Sequence, residues 1–394
     1  MNIVVIAPNI SENLSGEAIK AYQYVRHLIA RGDRVSVIAH SRSRGHFENA
    51  AAGAPLHFVE DEIVQRLLWK SVALRPFVTL PFFVAVRRLV RDIAAREPDA
   101  VFHYLCPVSP IYPRLPVAGV RNVLGPVTGN IHYPPALRHR EPFGARWRRM
   151  SHRVLQGLIG GVLRDKAKFD RILISGGERT RESLSWAGAG DDQFRDVLDS
   201  GVSDRILSRP SVAHEGVNHR FVCNGRLVPH KGVDLAIRAV ARAATPVALD
   251  VFGDGPTAPA LRDLIRSLGL EDRVRLRGWL PSHDDLLDEM AAYRGFVFPS
   301  MAEANGIVVQ EALAMGLPVI CLDWGGPALL ASGEEAALIP PTGEEAIVDA
   351  IAAEMDRLAE NPALAAARAE AARDAARRRF SWSAVADDWI RNFD

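Results

Sequence analysis

Two short stretches hold the residues best suited to gripping a phosphorylated polyol. Asn224–Asp234 reads NGRLVPHKGVD, leaving an apolar run and entering a helix expected near Gly232. Arg226 offers directed bonds to phosphate oxygens, and Lys231 a flexible, concentrated charge. The helix start adds free N–H donors and a favourable dipole. On spacing alone, the same residues suit a solvated loop whose cations balance nearby acids.

The second stretch, EANGIVVQE, sets Glu303 and Glu311 around Gly306. The glycine argues against one continuous helical face. The pattern predicts a loop through Ala304, Asn305 and Gly306, with a helix from Ile307. Glu303 would then accept hydroxyl bonds from a polyol, Glu311 bonds from another part of the ligand. Backbone N–H groups around Gly306 to Val308 would serve its phosphates. The competing reading leaves Glu303 in solvent and Glu311 capping or salt-bridging.

Positioning such groups needs a scaffold. NIVVIA at 2–7, VSVIA at 35–39, PLHFV at 55–59, AVFHYLC at 100–106, RNVLG at 121–125 and RILIS at 171–175 read as buried strands. Residues 17–30 carry apolar side chains at one helical face. The alternation restarts after His219, with FVCNG, VALDVFG, RVRLRG, GFVFPS and PVICLD as strands and helices at 233–243 and 258–267. Strand–helix alternation favours parallel sheets covered on both faces. The expected organisation is a first domain at 1–205, a linker at 206–217 and a second domain at 218–376. A helix at 377–394 follows, expected to return to the first domain. Two such α/β domains would face one another across a cleft, with loops at strand ends supplying the site.

The 394 residues are 48% hydrophobic and 24% charged, which excludes global disorder and a coiled coil. The formal charge of +1 hides an uneven distribution. Arg138–Lys168 holds nine Lys or Arg against two acids, and Gln65–Asp92 six against one. The latter includes LRPFVTLPFFVAV, too short to cross a bilayer. A basic, partly apolar first half points either to an anionic membrane surface or to core helices with solvated charged faces. No aromatic–basic interleaving or known module supports nucleic acid. Cys106, Cys223 and Cys321 lie far apart in apolar runs and are expected as buried reduced thiols. MNIVVIAP reads as a strand, not a signal peptide. The expected setting is cytoplasmic, with peripheral attachment to the cytoplasmic face of the inner membrane. The sequence lacks a strand-adjacent GxGxxG and a GxxxxGK[ST], and GDGP at 253–256 marks a tight turn. No His/Cys/Asp cluster has metal spacing.

In this order, NGRLVPHKGVD, GDGP and SMAEANGIVVQEALAMGLPVI resemble the retaining glycosyltransferase family four. The opening SGEAIKAYQYVRHLIARGDRVSVIA extends the likeness, more loosely, over nearly the whole chain. The resemblance implies the GT-B architecture, two facing Rossmann-like domains. It implies a metal-independent retaining transferase that takes a nucleotide diphosphate-sugar as donor and needs no cofactor.

Carried over residue by residue, it implies that Arg226 and Lys231 clamp the donor diphosphate. Glu303 would contact the transferred sugar and Glu311 the ribose. Asn305, Gly306, Ile307 and Val308 would form the donor-holding loop, and Gly278, Trp279 and Leu280 would pass the base, Trp279 serving either there or as packing. Asn305 stands where many relatives carry a bulkier residue. The amino-terminal paired-glycine turn is reduced to Ser15-Gly16, where Gly16 would approach phosphate or acceptor, or simply start a helix. His103 matches a family histidine near the reacting centre, and Asn130 and His132 match an acceptor loop. The acceptor class implied is a membrane glycolipid or surface-polysaccharide precursor. A soluble acceptor, an epimerase or phosphorylase of like architecture, and a non-catalytic sugar-nucleotide binder are the rival readings.

Overall fold

The computed structural model describes residues 1–12, 16–47, 54–60, 67–68, 70, 77–331 and 333–394. Ser15, and residues 71–76 of the first basic–apolar stretch, therefore lie outside the described residues. The chain divides into two compact units, one of 1–130, 144–201 and 382–394, the other of 131–143 and 202–381.

The first unit is a seven-stranded parallel sheet of β1 (Asn2–Ile6), β2 (Arg34–His40), β3 (Leu56–Val59), β4 (Val101–Tyr104), β5 (Arg121–Val127), β6 (Arg171–Ile174) and β7 (Phe194–Asp196). Their spatial order is β3-β2-β1-β4-β5-β6-β7. Strand alternation divides β1 between two cores: Ile3 and Val5 face one, Val4 and Ile6 the other. Helix α1 (Glu17–Ala30) covers the first core and α2 (Leu80–Arg96) the second. Phe82, Phe83 and Val86 of LRPFVTLPFFVAV are buried in that second core, so this part of the stretch is packing and not an exposed apolar face. Further along lie α3 (Phe143–Leu163) and α4 (Glu178–Trp186).

The second unit is a six-stranded parallel sheet of β8 (Arg220–Asn224), β9 (Ala248–Phe252), β10 (Val274–Gly278), β11 (Gly295–Phe298), β12 (Val319–Leu322) and β13 (Ala336–Ile339). The order is β10-β9-β8-β11-β12-β13. This is the doubly wound 3-2-1-4-5-6 arrangement, whose ligand crevice lies outside the carboxyl ends of the first and fourth strands. Those strands are β8 and β11. The helices are α5 (Val233–Arg242), α6 (Ala258–Ser267), α7 (His283–Met290), α8 (Ile307–Ala314), α9 (Glu344–Glu360) and α10 (Pro362–Arg379).

Three boundaries differ from the sequence reading. The first unit leaves off at Gly201 and not at 205, so that the expected linker 206–217 falls in the second unit. Ile131–Phe143 groups with the second unit, because Tyr133 and Leu137 are buried in its core and Arg140 pairs with Asp234 at 2.6 Å. The chain re-enters the first unit at Trp382, where α11 (Trp382–Arg391) begins, and not at residue 377. Helix α11 packs on α1. Trp389 is fully buried there, its ring 5.0 Å from that of Tyr24, and its Nε1 donates to Leu198 O at 2.8 Å. Truncating so large a buried ring costs about 3–5 kcal/mol. Trp389→Ala is expected to lower the unfolding free energy by that amount, and a change below about 1 kcal/mol in urea titration would contradict this packing role.

Candidate active site

The site is built on glycines that let loops touch backbone to backbone. β8 ends at Asn224, and the next residue, Gly225, has φ 134°. A Cβ on Gly253, after β9, would lie 1.9 Å from Gly225 O, and one on Gly255 would lie 2.3 Å from Leu227 O. No side chain fits there. Gly225 N donates to Phe252 O at 2.9 Å and Leu227 N to Asp254 O at 3.0 Å, while Gly253 N donates to Gly278 O at 2.8 Å. The GDGP turn thus braces the loop after β8 and ties it to the end of β10.

Arg226, on this braced loop, is exposed, and its guanidinium has no hydrogen bond or ion pair among the described residues. The chain then makes a 3₁₀ turn over Pro229–Lys231 and enters α5 through Gly232, left-handed at φ 67°. A Cβ there would meet Pro299 O at 2.4 Å. Met301 N donates to His230 O at 2.7 Å. The turn is therefore docked against the exit of β11, which is why Lys231 and Glu303 form an ion pair although 72 positions separate them. Both side chains stay partly open to solvent. The Lys231 ammonium also sits 4.8 Å from the Phe298 ring centroid. His230 is pushed below its usual range by burial and then by Lys231, which keeps it neutral at pH 7.

Gly306, at φ 84°, turns the chain into α8. The Ile307 and Val308 amides have no acceptor among the described residues, as expected for the first turn of a helix. Gly326 lets the next loop press against Ala304, with Gly326 N bonded to Glu303 O at 3.2 Å. Asn305 is buried in this turn. Glu303, Gly306 and the first amides of α8 thus form one concave corner beside Lys231.

Glu311 lies one turn further on, only 8% exposed, with its Oε1 3.2 Å from His283 Nε2. The hydrogen bond to Glu311 raises the His283 pKa, more than burial lowers it. His283 opens α7 behind a reciprocal cap between Ser282 and Asp285. Sequence reasoning missed this histidine, since no spacing rule links it to a carboxylate on a different helix. Gly278 has φ 72°, and Trp279 beside it is 59% exposed; Leu280 is half-buried.

Of the four remaining residues, Gly16, His103 and Asn130 belong to the first unit and His132 to the second. Gly16, at φ 68°, starts α1 in the first unit with open space around its Cα. His103 lies deep in the first unit. It is fully buried on β4, with Nδ1 3.1 Å from the Tyr24 hydroxyl, Nε2 2.5 Å from Gly125 O, and the Trp389 and Phe393 rings close by. Burial lowers its pKa to about 3. Both ring nitrogens are thus engaged inside the first unit's core. Asn130 bonds Glu182 at 2.9 Å, and His132 presents its carbonyl to Trp324 Nε1 at 2.9 Å. Among the described residues, no three His, Cys, Asp or Glu side chains converge to hold a metal ion.

Comparison with known proteins bears mainly on the second unit. Residues 218–357, most of the second unit, match the family described as Glycosyl transferases group 1. The match lies within the second unit and covers 218–357 alone. It is 35% identical over 205 residues to an exopolysaccharide phosphotransferase of Streptomyces coelicolor, covering 49% of this chain and 21% of that one. It is 28% identical over 296 residues to a GDP-mannose-dependent α-(1-6)-phosphatidylinositol monomannoside mannosyltransferase of Mycobacterium tuberculosis, covering 70% and 71%. The chain spans half or less of the length of the first curated relatives it matches. In fold it is similar to Anabaena HepE crystallised with UDP and glucose, at a TM-score of 0.62, 17% identity and coverage of 99% and 98%. The two separate parallel sheets are those of the GT-B architecture.

Proposed function

We propose that this chain is a group 1 glycosyltransferase that moves a sugar from a nucleotide diphosphate-sugar to a hydroxyl acceptor, with retention at the anomeric carbon. One observation carries the reading: Lys231, Glu303 and the unpaired first amides of α8 converge at the β8/β11 switch point. Arg226, Lys231 and the Ile307 and Val308 amides hold the diphosphate and stabilise the charge it gains as the bond to the anomeric carbon breaks. The acceptor oxygen bonds that carbon from the face the phosphate leaves. The bonding pair departs with the diphosphate, and the hydroxyl proton passes to its phosphate oxygen. Glu303 positions the sugar hydroxyls; no enzyme nucleophile is needed, which separates this site from a hydrolase's carboxylate pair.

Glu311 takes the ribose hydroxyls, with His283 holding its carboxylate, and the Gly278–Leu280 turn passes the base. Asn305 and Gly306 shape the corner for the sugar. Gly16 serves the acceptor side. The acceptor is a membrane glycolipid or surface-polysaccharide precursor, in keeping with the phosphatidylinositol mannoside named for the mycobacterial relative. That acceptor class places the enzyme at an anionic membrane surface, cytoplasmic in setting. The test is a screen of labelled nucleotide-sugars with membrane extract, followed by mass analysis. Label transferred to an acceptor supports the reading. Isomerised donor, phosphate-dependent release, or intact donor with every acceptor would replace it with an epimerase, a phosphorylase or a binding protein.

A further inference from the structure

Helix α3 is built as two opposed faces. Gln156, Ile159 and Gly160 are buried against the first unit. Gln156 accepts from Ser183 Oγ at 2.9 Å, and a Cβ on Gly160 would lie 2.5 Å from Ala187 O, so the helix is seated tightly. The opposite face carries Phe143, Trp147, Met150, Val154, Leu158 and Val162, each between 58 and 82% exposed. Their spacing of three and four residues makes one continuous stripe along all 21 residues of the helix. Soluble surfaces scatter such side chains singly, and a contiguous stripe marks an interaction surface.

The flanks of the stripe say what it meets. At 100° per residue, Arg146 and Arg153 border one edge and Arg148 the other, all three exposed. The helix contains no Asp or Glu. Elsewhere in the basic stretch two cations are spent internally, Arg140 on Asp234 and buried Lys166 on Asp165 at 2.6 Å. Arg153 lies over the Trp186 ring at 4.8 Å, and Arg146 and Arg148 make no ion pair among the described residues, so positive charge lines both edges of the apolar stripe. An apolar face edged by arginines, with a tryptophan near its start, matches a helix lying in the headgroup plane of an anionic bilayer. Among the described residues no helix is long and apolar enough to cross a membrane, so the contact is in-plane.

We infer that α3 docks this chain on an anionic lipid surface. The inference deepens the acceptor reading above by assigning the membrane contact to one helix, and its test reads lipid binding separately from transfer. The full chain is floated with vesicles of phosphatidylglycerol and phosphatidylcholine, and with phosphatidylcholine alone, at low salt. A second sample carries Trp147→Asp, Val154→Asp and Leu158→Asp together. Retained melting temperature and retained donor turnover on a water-soluble acceptor show that this variant is folded. The chain is expected to float with the anionic vesicles, with partition falling at least about tenfold in the triple variant and when phosphatidylglycerol is omitted. Failure of the natural chain to float, or equal flotation of the variant, overturns the inference. So does a dimer in light scattering that the three substitutions dissociate while neither protein binds vesicles; the stripe then belongs to a second copy. Flotation without sugar transfer would leave the docking helix standing and remove the catalytic reading; transfer without flotation does the reverse.

Discussion

Lys231→Ala is expected to lower kcat/KM for sugar transfer by about 10²–10³-fold, the usual cost of removing one preorganised group that stabilises a developing anion. Two effects combine. The leaving diphosphate loses a cation fixed by the 3₁₀ turn docked on the β11 exit. The Glu303 carboxylate, paired with that cation in the free protein, also loses its restraint. Lys231→Arg retains charge on a longer, planar group that does not fit the position beside Phe298, and is expected to recover only part of the rate. A Lys231→Ala enzyme with unchanged kcat/KM would remove this lysine from the reaction.

Glu303→Gln is expected to separate binding from transfer. The change keeps the side chain's shape and removes its charge, so kcat should fall by about 10²-fold as the sugar loses its strongest acceptor of hydroxyl bonds. Affinity for the free nucleoside diphosphate should hold or rise. Without the carboxylate, the Lys231 charge is no longer offset and is fully available to the diphosphate. Titration of the diphosphate by calorimetry, beside steady-state rates, reads both. A parallel loss of affinity and rate would make Glu303 a binding group for the nucleotide and not a positioner of the sugar.

Local pattern was enough to mark the two loops of the proposed donor corner. The Arg226–Lys231 loop and the Gly306 turn each follow a strand and open a helix, and each is written in contiguous residues. That the two meet was legible only through the family resemblance, because contact over 72 positions depends on the docking of the turn against the β11 exit. Strands with unbroken apolar runs were plain. β7 and β13 were not: FRD is three residues long, and AALI offers no β-branched run before its last position. His103 shows what local pattern leaves open. Its place at a strand's end suggested a ligand contact, but the strand's pleat aims the ring inward under α1 and α11, and nothing in AVFHYLC announces which face is covered. Residues 131–143 were misassigned for a similar reason, as Tyr133 and Leu137 find their slots in a core whose remaining residues come after 220.

The interleaving of the two units bears on how the chain is made. The first unit's strands emerge from the ribosome early, but the slot beside Tyr24 and His103 stays unfilled until Trp389 and Phe393 arrive, after the entire second sheet has been translated. Assembly is therefore not sequential. The early half must wait, with an uncovered apolar flank, for a helix encoded only after the second sheet, and it is during this interval that holdase chaperones would find a binding surface.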